Sequence, residues 1–108
     1  MADVIARHGV RVIVGKGGMG AGTLAACRER GCVYLQAVGG AAAVIARQVV
    51  SVDGVHFLEA FGAAEALWVF TVRDMELTVG MDAHGRSLYE EVARESERAR
   101  RALVGGAA

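Results

Sequence analysis

Along the first half of the chain, apolar residues come in short blocks separated by glycine rather than in strict alternation with polar ones. "ADVIARHG" carries Val4 and Ile5 and stops at Gly9, which predicts the end of a helix with a glycine C-cap. "VRVIVG", Val10 to Gly15, is short, β-branched and nearly all apolar, so it predicts a strand covered on both faces. "GTLAACRERG" predicts a helix ended by Gly31. Cys32 to Gly39 predicts a second buried strand, and Gly40 to Gln48 a small helix whose alanines allow close packing on a sheet. Strand, helix, strand, helix favours a parallel pair joined by a right-handed crossover.

The second half has a different texture. Val49 to Phe61 predicts a bent strand broken at Asp53-Gly54. Ala66 to Asp74 and Glu76 to Asp82 predict strands flanking a tight connection at Asp74-Met75. The last helix opens at Ser87, followed three residues later by Glu90 in a capping box. Its acids come early and its arginines late, which complements the helix dipole. Leu88, Val92, Ala99 and Leu103 share one face, expected to dock on the body, with a subunit contact as the alternative. Residues 104–108 are expected to fray as a disordered tail. The whole, residues 1–108, has the length of one domain, and its fold class is α/β, a mixed sheet packed with helices.

Composition removes several function classes. An apolar share of 54% favours a folded chain over disorder. Twelve basic and 12 acidic residues cancel, so there is no electrostatic case for nucleic acid or an anionic membrane, and self-association is easy. Cys27 and Cys32 are the chain's two cysteines, too few for a disulfide scaffold or a zinc site, and are expected as buried thiols. His8, His56 and His84 are scattered without metal-ligand spacing. Trp68 and its aromatic neighbours are expected in the core. No apolar run reaches the ~18 residues of a membrane span, and no leader pattern opens the chain, so a cytoplasmic location is expected.

The glycine loop Lys16-Gly17-Gly18-Met19-Gly20-Ala21-Gly22-Thr23 poses the chemical question. It resembles the KGGxGK[ST] phosphate loop of partitioning and nitrogenase-reductase ATPases, but that motif needs a lysine for the phosphates and then Ser or Thr for magnesium. Ala21 and Gly22 stand there instead, so nucleotide hydrolysis is not expected. What survives is a strand end, a lysine and a helix N-terminus, whose free N–H groups and dipole favour an anion. A carboxylate suits that setting as well as a phosphate, with Lys16 as the holding residue.

"VIVGKGGM", "GCVYLQAVGGAAAVIAR", "EAFGAAEALWVFTVRDMELTVGMDAHG" and "SLYEEV", in this order and spacing, resemble the C-terminal domain or β subunit of the class I iron–sulfur fumarases and tartrate dehydratases. The likeness runs from about Val10 to Val92, with Ala41 where the family commonly has proline. It implies a hydro-lyase fragment with a swivelling β/β/α-like fold, adding or removing water on a small dicarboxylic acid. It implies a four-iron four-sulfur cluster acting as a Lewis acid, held by a cluster-bearing α subunit or domain rather than by Cys27 and Cys32. The substrate-binding residues it implies are Lys16, Gly17, Gly39 and Gly40.

The family's Thr-x-x-Arg-Met-Asp motif, with its candidate proton-transfer threonine and substrate-binding arginine, precedes the helix in which this sequence opens. No catalytic residue is therefore assigned here, and the domain is expected to be truncated. Two functions follow: a part of a split hydro-lyase, or a non-catalytic homologue that binds carboxylates or oligomerises. Missing strands should leave an edge or apolar face needing cover, so a homo-oligomer is expected.

Overall fold

The computed structural model describes residues 1–106. Its elements are, in chain order, α1 (Ala2–His8), β1 (Val12–Lys16), α2 (Ala21–Arg30), β2 (Val33–Ala37) and α3 (Ala42–Gln48), then β3 (Val49–His56), α4 (Leu58–Phe61), β4 (Leu67–Val72), β5 (Thr78–Met81) and α5 (Leu88–Gly105). This is the expected α/β content. The elements sort into two compact units, one formed by Met1–Val38 with the chain from Leu77 onward, the other by Gly39–Glu76.

In the first unit the two early helices end where glycine allows it. Gly9 and Gly31 take left-handed φ values of 62° and 66°, conformations in which a Cβ is disfavoured. The Gly9 N–H bonds to the Ile5 carbonyl at 3.1 Å, and the Cys32 N–H to the Cys27 carbonyl at 2.9 Å. β1 and β2 run parallel, as expected from the crossover order, with Ile13 opposite Tyr34, Gly15 opposite Gln36 and Lys16 opposite Ala37. β5 then adds antiparallel to the other edge of β2. Tyr34 pairs with Met81 and Leu35 with Val79, which leaves Gly80 as the extra residue of a bulge.

Strand alternation separates the two faces of this sheet. Ile13 packs with Ile5, Ala26, Cys27 and Cys32, so helices α1 and α2 cover one face. Val12, Val14 and Val79 point the other way and are about half exposed. The expectation that β1 is buried on both sides is therefore corrected: one face has its helices, and the other stays open. α5 opens as the sequence indicates, with the Ser87 hydroxyl accepting the Glu90 N–H at 3.4 Å and acids in its first turn. Its apolar face is not docked, since Val92 and Leu103 are 56% and 79% exposed. The helix runs on through Val104 and Gly105, further than expected, so its last turn carries no arginine. Residues 107 and 108 of the expected tail lie outside the described residues.

The second unit is a two-stranded antiparallel ribbon, β3 with β4, preceded by α3. Its strand bends at the anticipated place, with a register shift between Val52 and Gly54. β3 stops at His56, Phe57 takes a φ of 64°, and Leu58–Phe61 is a helical turn rather than strand. β4 and β5 are not partners across Asp74-Met75, because each belongs to a different sheet. Val52, Leu67, Val69 and Phe70 are all exposed, and Trp68, whose indole N–H bonds to the Ala63 carbonyl at 3.0 Å, is exposed rather than in a core.

Asp53 fastens this ribbon at its bend. Its carboxylate accepts the Ser51 hydroxyl at 2.7 Å and the Thr71 hydroxyl from the facing strand, and both bonds hold its pKa below the ordinary 3.8. A carboxyl with a depressed folded pKa stabilises the fold above its unfolded value and loses that contribution as pH falls through the folded one. Protection of the β3 and β4 amides from exchange, relative to the unfolded chain at the same pH, should therefore fall on acidification below about pH 4. In Asp53→Asn that acid step should disappear, and its persistence would assign it to another group.

Candidate functional site

Lys16 is the last residue of β1 and the chain's only lysine. Its side chain is exposed, with neither an ion pair nor a hydrogen bond among the described residues. Gly17 follows with a φ of 72°, so the chain turns sharply at the strand's end. α2 begins at Ala21 with Gly20 as its cap, and the Gly20 carbonyl accepts the N–H groups of Thr23 and Leu24. The first N–H groups of a helix lack intrahelical partners, and this first turn contains no acid. The setting read from the sequence, a cation at a strand end followed by a helix N-terminus, is thus present.

The Gly17 carbonyl is gripped from two directions. The Tyr34 hydroxyl of β2 donates to it at 2.8 Å, and the Tyr89 hydroxyl of α5 reaches it at 3.0 Å. Tyr89 also lies 2.7 Å from the Gln36 side-chain oxygen. The two rings meet edge to face with centroids 6.3 Å apart. Burial beside Tyr34 raises the Tyr89 pKa, so the hydroxyl keeps its proton at neutral pH. Tyr34, Gln36 and Tyr89 were not singled out from the sequence. The signal that could have found them is glycine inside strand patterns, which marks close approach.

Gly39 and Gly40 open the second unit in an exposed turn, Gly40 with a φ of 79°, ahead of the seven-residue α3. Lys16 and Gly17 share one turn of the first unit, and Gly39 and Gly40 one turn of the second. A cavity of about 210 Å³ lies beside β5 and the start of α5, lined by Asp82, Arg86 and Glu91 among others. Its charges satisfy one another: Arg86 pairs with Glu91 at 2.5 Å, and the Asp82 carboxylate accepts the His84 and Arg86 N–H groups at 2.9 Å each. Asp82 and Glu91 are accordingly held below their ordinary pKa values.

Cys27 and Cys32 do not fit an iron–sulfur cluster. Both are fully buried in the core of the first unit, and no group of three or more metal-ligating side chains occurs among the described residues. Burial and the neighbouring Cys32 push the Cys27 thiol up to about 11. Native protein should then resist iodoacetamide at pH 8 and react at both cysteines once unfolded. Because the folded pKa lies above the unfolded one, stability should fall as pH rises from about 9 towards 11. Rapid alkylation of the native chain would contradict the buried placement.

Known proteins share this arrangement of sequence. The fumarase C-terminus family matches residues 1–92. A Geobacillus stearothermophilus protein named as a class I fumarate hydratase is 47% identical over 94 residues, covering 87% of this chain and 18% of that protein. A Methanocaldococcus jannaschii protein named as an L(+)-tartrate dehydratase subunit beta is 43% identical over 97 residues, covering 89% of this chain and 50% of that subunit. The L(+)-tartrate dehydratase subunit beta of Escherichia coli K12 is 37% identical over 90 residues, with 82% and 44% covered. The chain thus spans half or less of the length of these relatives. No described helix is long and apolar enough to cross a membrane. By the extent of its match, the chain belongs to the fumarase C-terminus family.

Proposed function

We propose that this chain is the carboxylate-holding part of a hydro-lyase that adds or removes water on a small dicarboxylic acid such as fumarate, malate or tartrate. The observation that carries the reading is Lys16, an unpaired cation on a glycine turn at the end of β1, in a chain of this family. An ammonium beside a carboxylate in a closed cleft gives a charge-assisted hydrogen bond, stronger than a neutral one and stronger again where water is excluded. Lys16 would bind and orient the substrate, and the proton-transfer and cluster chemistry would come from a partner subunit or domain. A four-iron four-sulfur cluster, where the partner holds one, supplies Lewis acidity, and no residue of this chain is assigned to it.

The open face of Val12, Val14 and Val79 and the exposed ribbon of the second unit are apolar surfaces suited to a partner or a second copy. Co-expression with a cluster-bearing partner should give a complex that hydrates fumarate or dehydrates tartrate, while either component alone is inactive. A complex without turnover, together with saturable binding of a dicarboxylate to this chain alone, would instead make it a binding module. Neither turnover nor binding would refute the carboxylate reading.

A further inference from the structure

We infer that Tyr34 and Tyr89, backed by Gln36, are positioning residues that clamp the Gly17 carbonyl and so fix the turn that presents Lys16. The inference rests on the carboxylate reading of Lys16 for its purpose, but its physical content stands on the clamp itself. Glycine populates left-handed and right-handed backbone almost equally, so a turn through Gly17 and Gly18 has little preference of its own. Two hydroxyls at 2.8 and 3.0 Å, brought from positions 17 and 72 residues away in sequence, select one orientation of that peptide.

Three glycines make room for the clamp. A Cβ at Gly15 would lie 2.8 Å from the Tyr34 hydroxyl, one at Gly18 would lie 3.3 Å from the Tyr89 ring, and one at Gly80 would lie 2.3 Å from the Tyr89 hydroxyl. The glycines thus stand on β1, on the turn and on β5, around one pair of rings. Such a convergence is not needed to close a strand end, where any polar group or water could satisfy one carbonyl.

Proton counting orders the network. A carbonyl oxygen has two lone pairs and can accept both hydroxyls, while a hydroxyl has one proton to give. Tyr89 cannot donate to Gly17 and to a Gln36 oxygen together. The consistent arrangement turns the Gln36 amide so that its NH₂ donates to Tyr89, whose proton goes to Gly17. Each bond polarises the next. In a trans peptide the C=O and the following N–H point opposite ways, so the tyrosines draw on the Gly17 carbonyl while the Gly18 N–H faces away from them. The clamp therefore fixes, beside Lys16, the direction of a polarised backbone donor.

The test compares Tyr34→Phe, Tyr89→Phe and the double variant, which keep the rings and remove the hydroxyls. In ¹⁵N spectra of the full chain, the Gly18 cross-peak should shift upfield and the heteronuclear NOE of residues 17–20 should fall, with other peaks in place. In the assembled enzyme, each single change should raise KM about fivefold to tenfold with kcat nearly constant, as for one lost hydrogen bond of about 1 kcal/mol. A double variant with the Gly18 peak and NOE unchanged overturns the clamp, whatever the kinetics. A loosened turn with unchanged KM, while Lys16→Ala raises KM, overturns the positioning role. If Lys16→Ala is silent as well, the carboxylate reading fails, and the positioning role fails with it.

Discussion

Lys16→Ala should lower kcat/KM of the proposed hydro-lyase assembly at least tenfold while leaving the fold of this chain intact. The two halves of that expectation have separate causes. The side chain is exposed and makes no hydrogen bond or ion pair among the described residues, so its removal orphans nothing. Surface substitutions of that kind stay within about 0.5 kcal/mol of the parent in stability. In a closed site the same group would face a carboxylate, and hydrogen bonds to charged groups contribute about 1.5–3 kcal/mol, or roughly tenfold to 150-fold. The loss should appear mainly in KM if Lys16 binds ground state and transition state alike. Lys16→Arg keeps the charge but replaces a compact ammonium by a planar fork, so it should recover part of the affinity and not all. A change of less than twofold in Lys16→Ala, with the complex still assembled, would remove Lys16 from the site.

The parts of this fold that were legible in the sequence are those decided locally. Gly9 and Gly31 end α1 and α2 because left-handed caps favour glycine, and Ser87 caps α5 through its own hydroxyl. Asp53-Gly54 marks the bend in β3, where the pairing register shifts between Val52 and Gly54. What failed was decided at long range. "VRVIVG" states that both faces of β1 are apolar, and nothing in it states what covers each. β4 and β5 are neighbours in sequence, yet β4 pairs back to β3 while β5 crosses to β2. The α5 stripe is amphipathic as read, but Val92 and Leu103 on its apolar side find no cover among the described residues.

The candidate site divides in the same way. The setting of Lys16 could be read because a strand end, a lysine and a helix start are adjacent in sequence. Tyr34 and Tyr89 could not, because one reads as an ordinary strand residue and the other as an ordinary helix residue. Only the pairing of β2 with β1 and β5 puts both hydroxyls on one carbonyl. Gly15 and Gly80 were the accessible hint, since a glycine in a strand weakens it unless something must come close. The open β-sheet face has a parallel meaning. The chain spans half or less of its relatives, and its uncovered valines are where a further structural layer would add burial at about 25 cal/mol per Å².

Gly80→Ala should be among the most destabilising single-methyl changes in the chain, costing about 1–3 kcal/mol, because overpacking of a closed site is that expensive. The added Cβ would stand 2.3 Å from the Tyr89 hydroxyl and 2.8 Å from its ring, and neither side can easily withdraw. Gly80 is the bulged residue of β5, held in place by the pairing of its neighbours Val79 and Met81 with Leu35 and Tyr34 of β2. Tyr89 is in the first turn of α5, just past the Ser87 cap, and Ser87 itself bridges to Met81. Relief must therefore come from swinging the tyrosine out, which gives up its contacts to Gly17 and Gln36. In a domain of this size 1 kcal/mol moves the melting midpoint by about 4–8 °C, so the effect is readily measured. Gly22→Ala supplies the contrast, since it lies in α2 with nothing within 4 Å of the new Cβ, and it should be neutral or stabilising by about 0.5–1 kcal/mol. The cause is separable by a double-mutant cycle. In a Tyr89→Ala background the methyl at position 80 meets no ring, so Gly80→Ala should lose most of its cost. An equal cost in both backgrounds would place the strain in the β5 backbone and take the tyrosine out of the account.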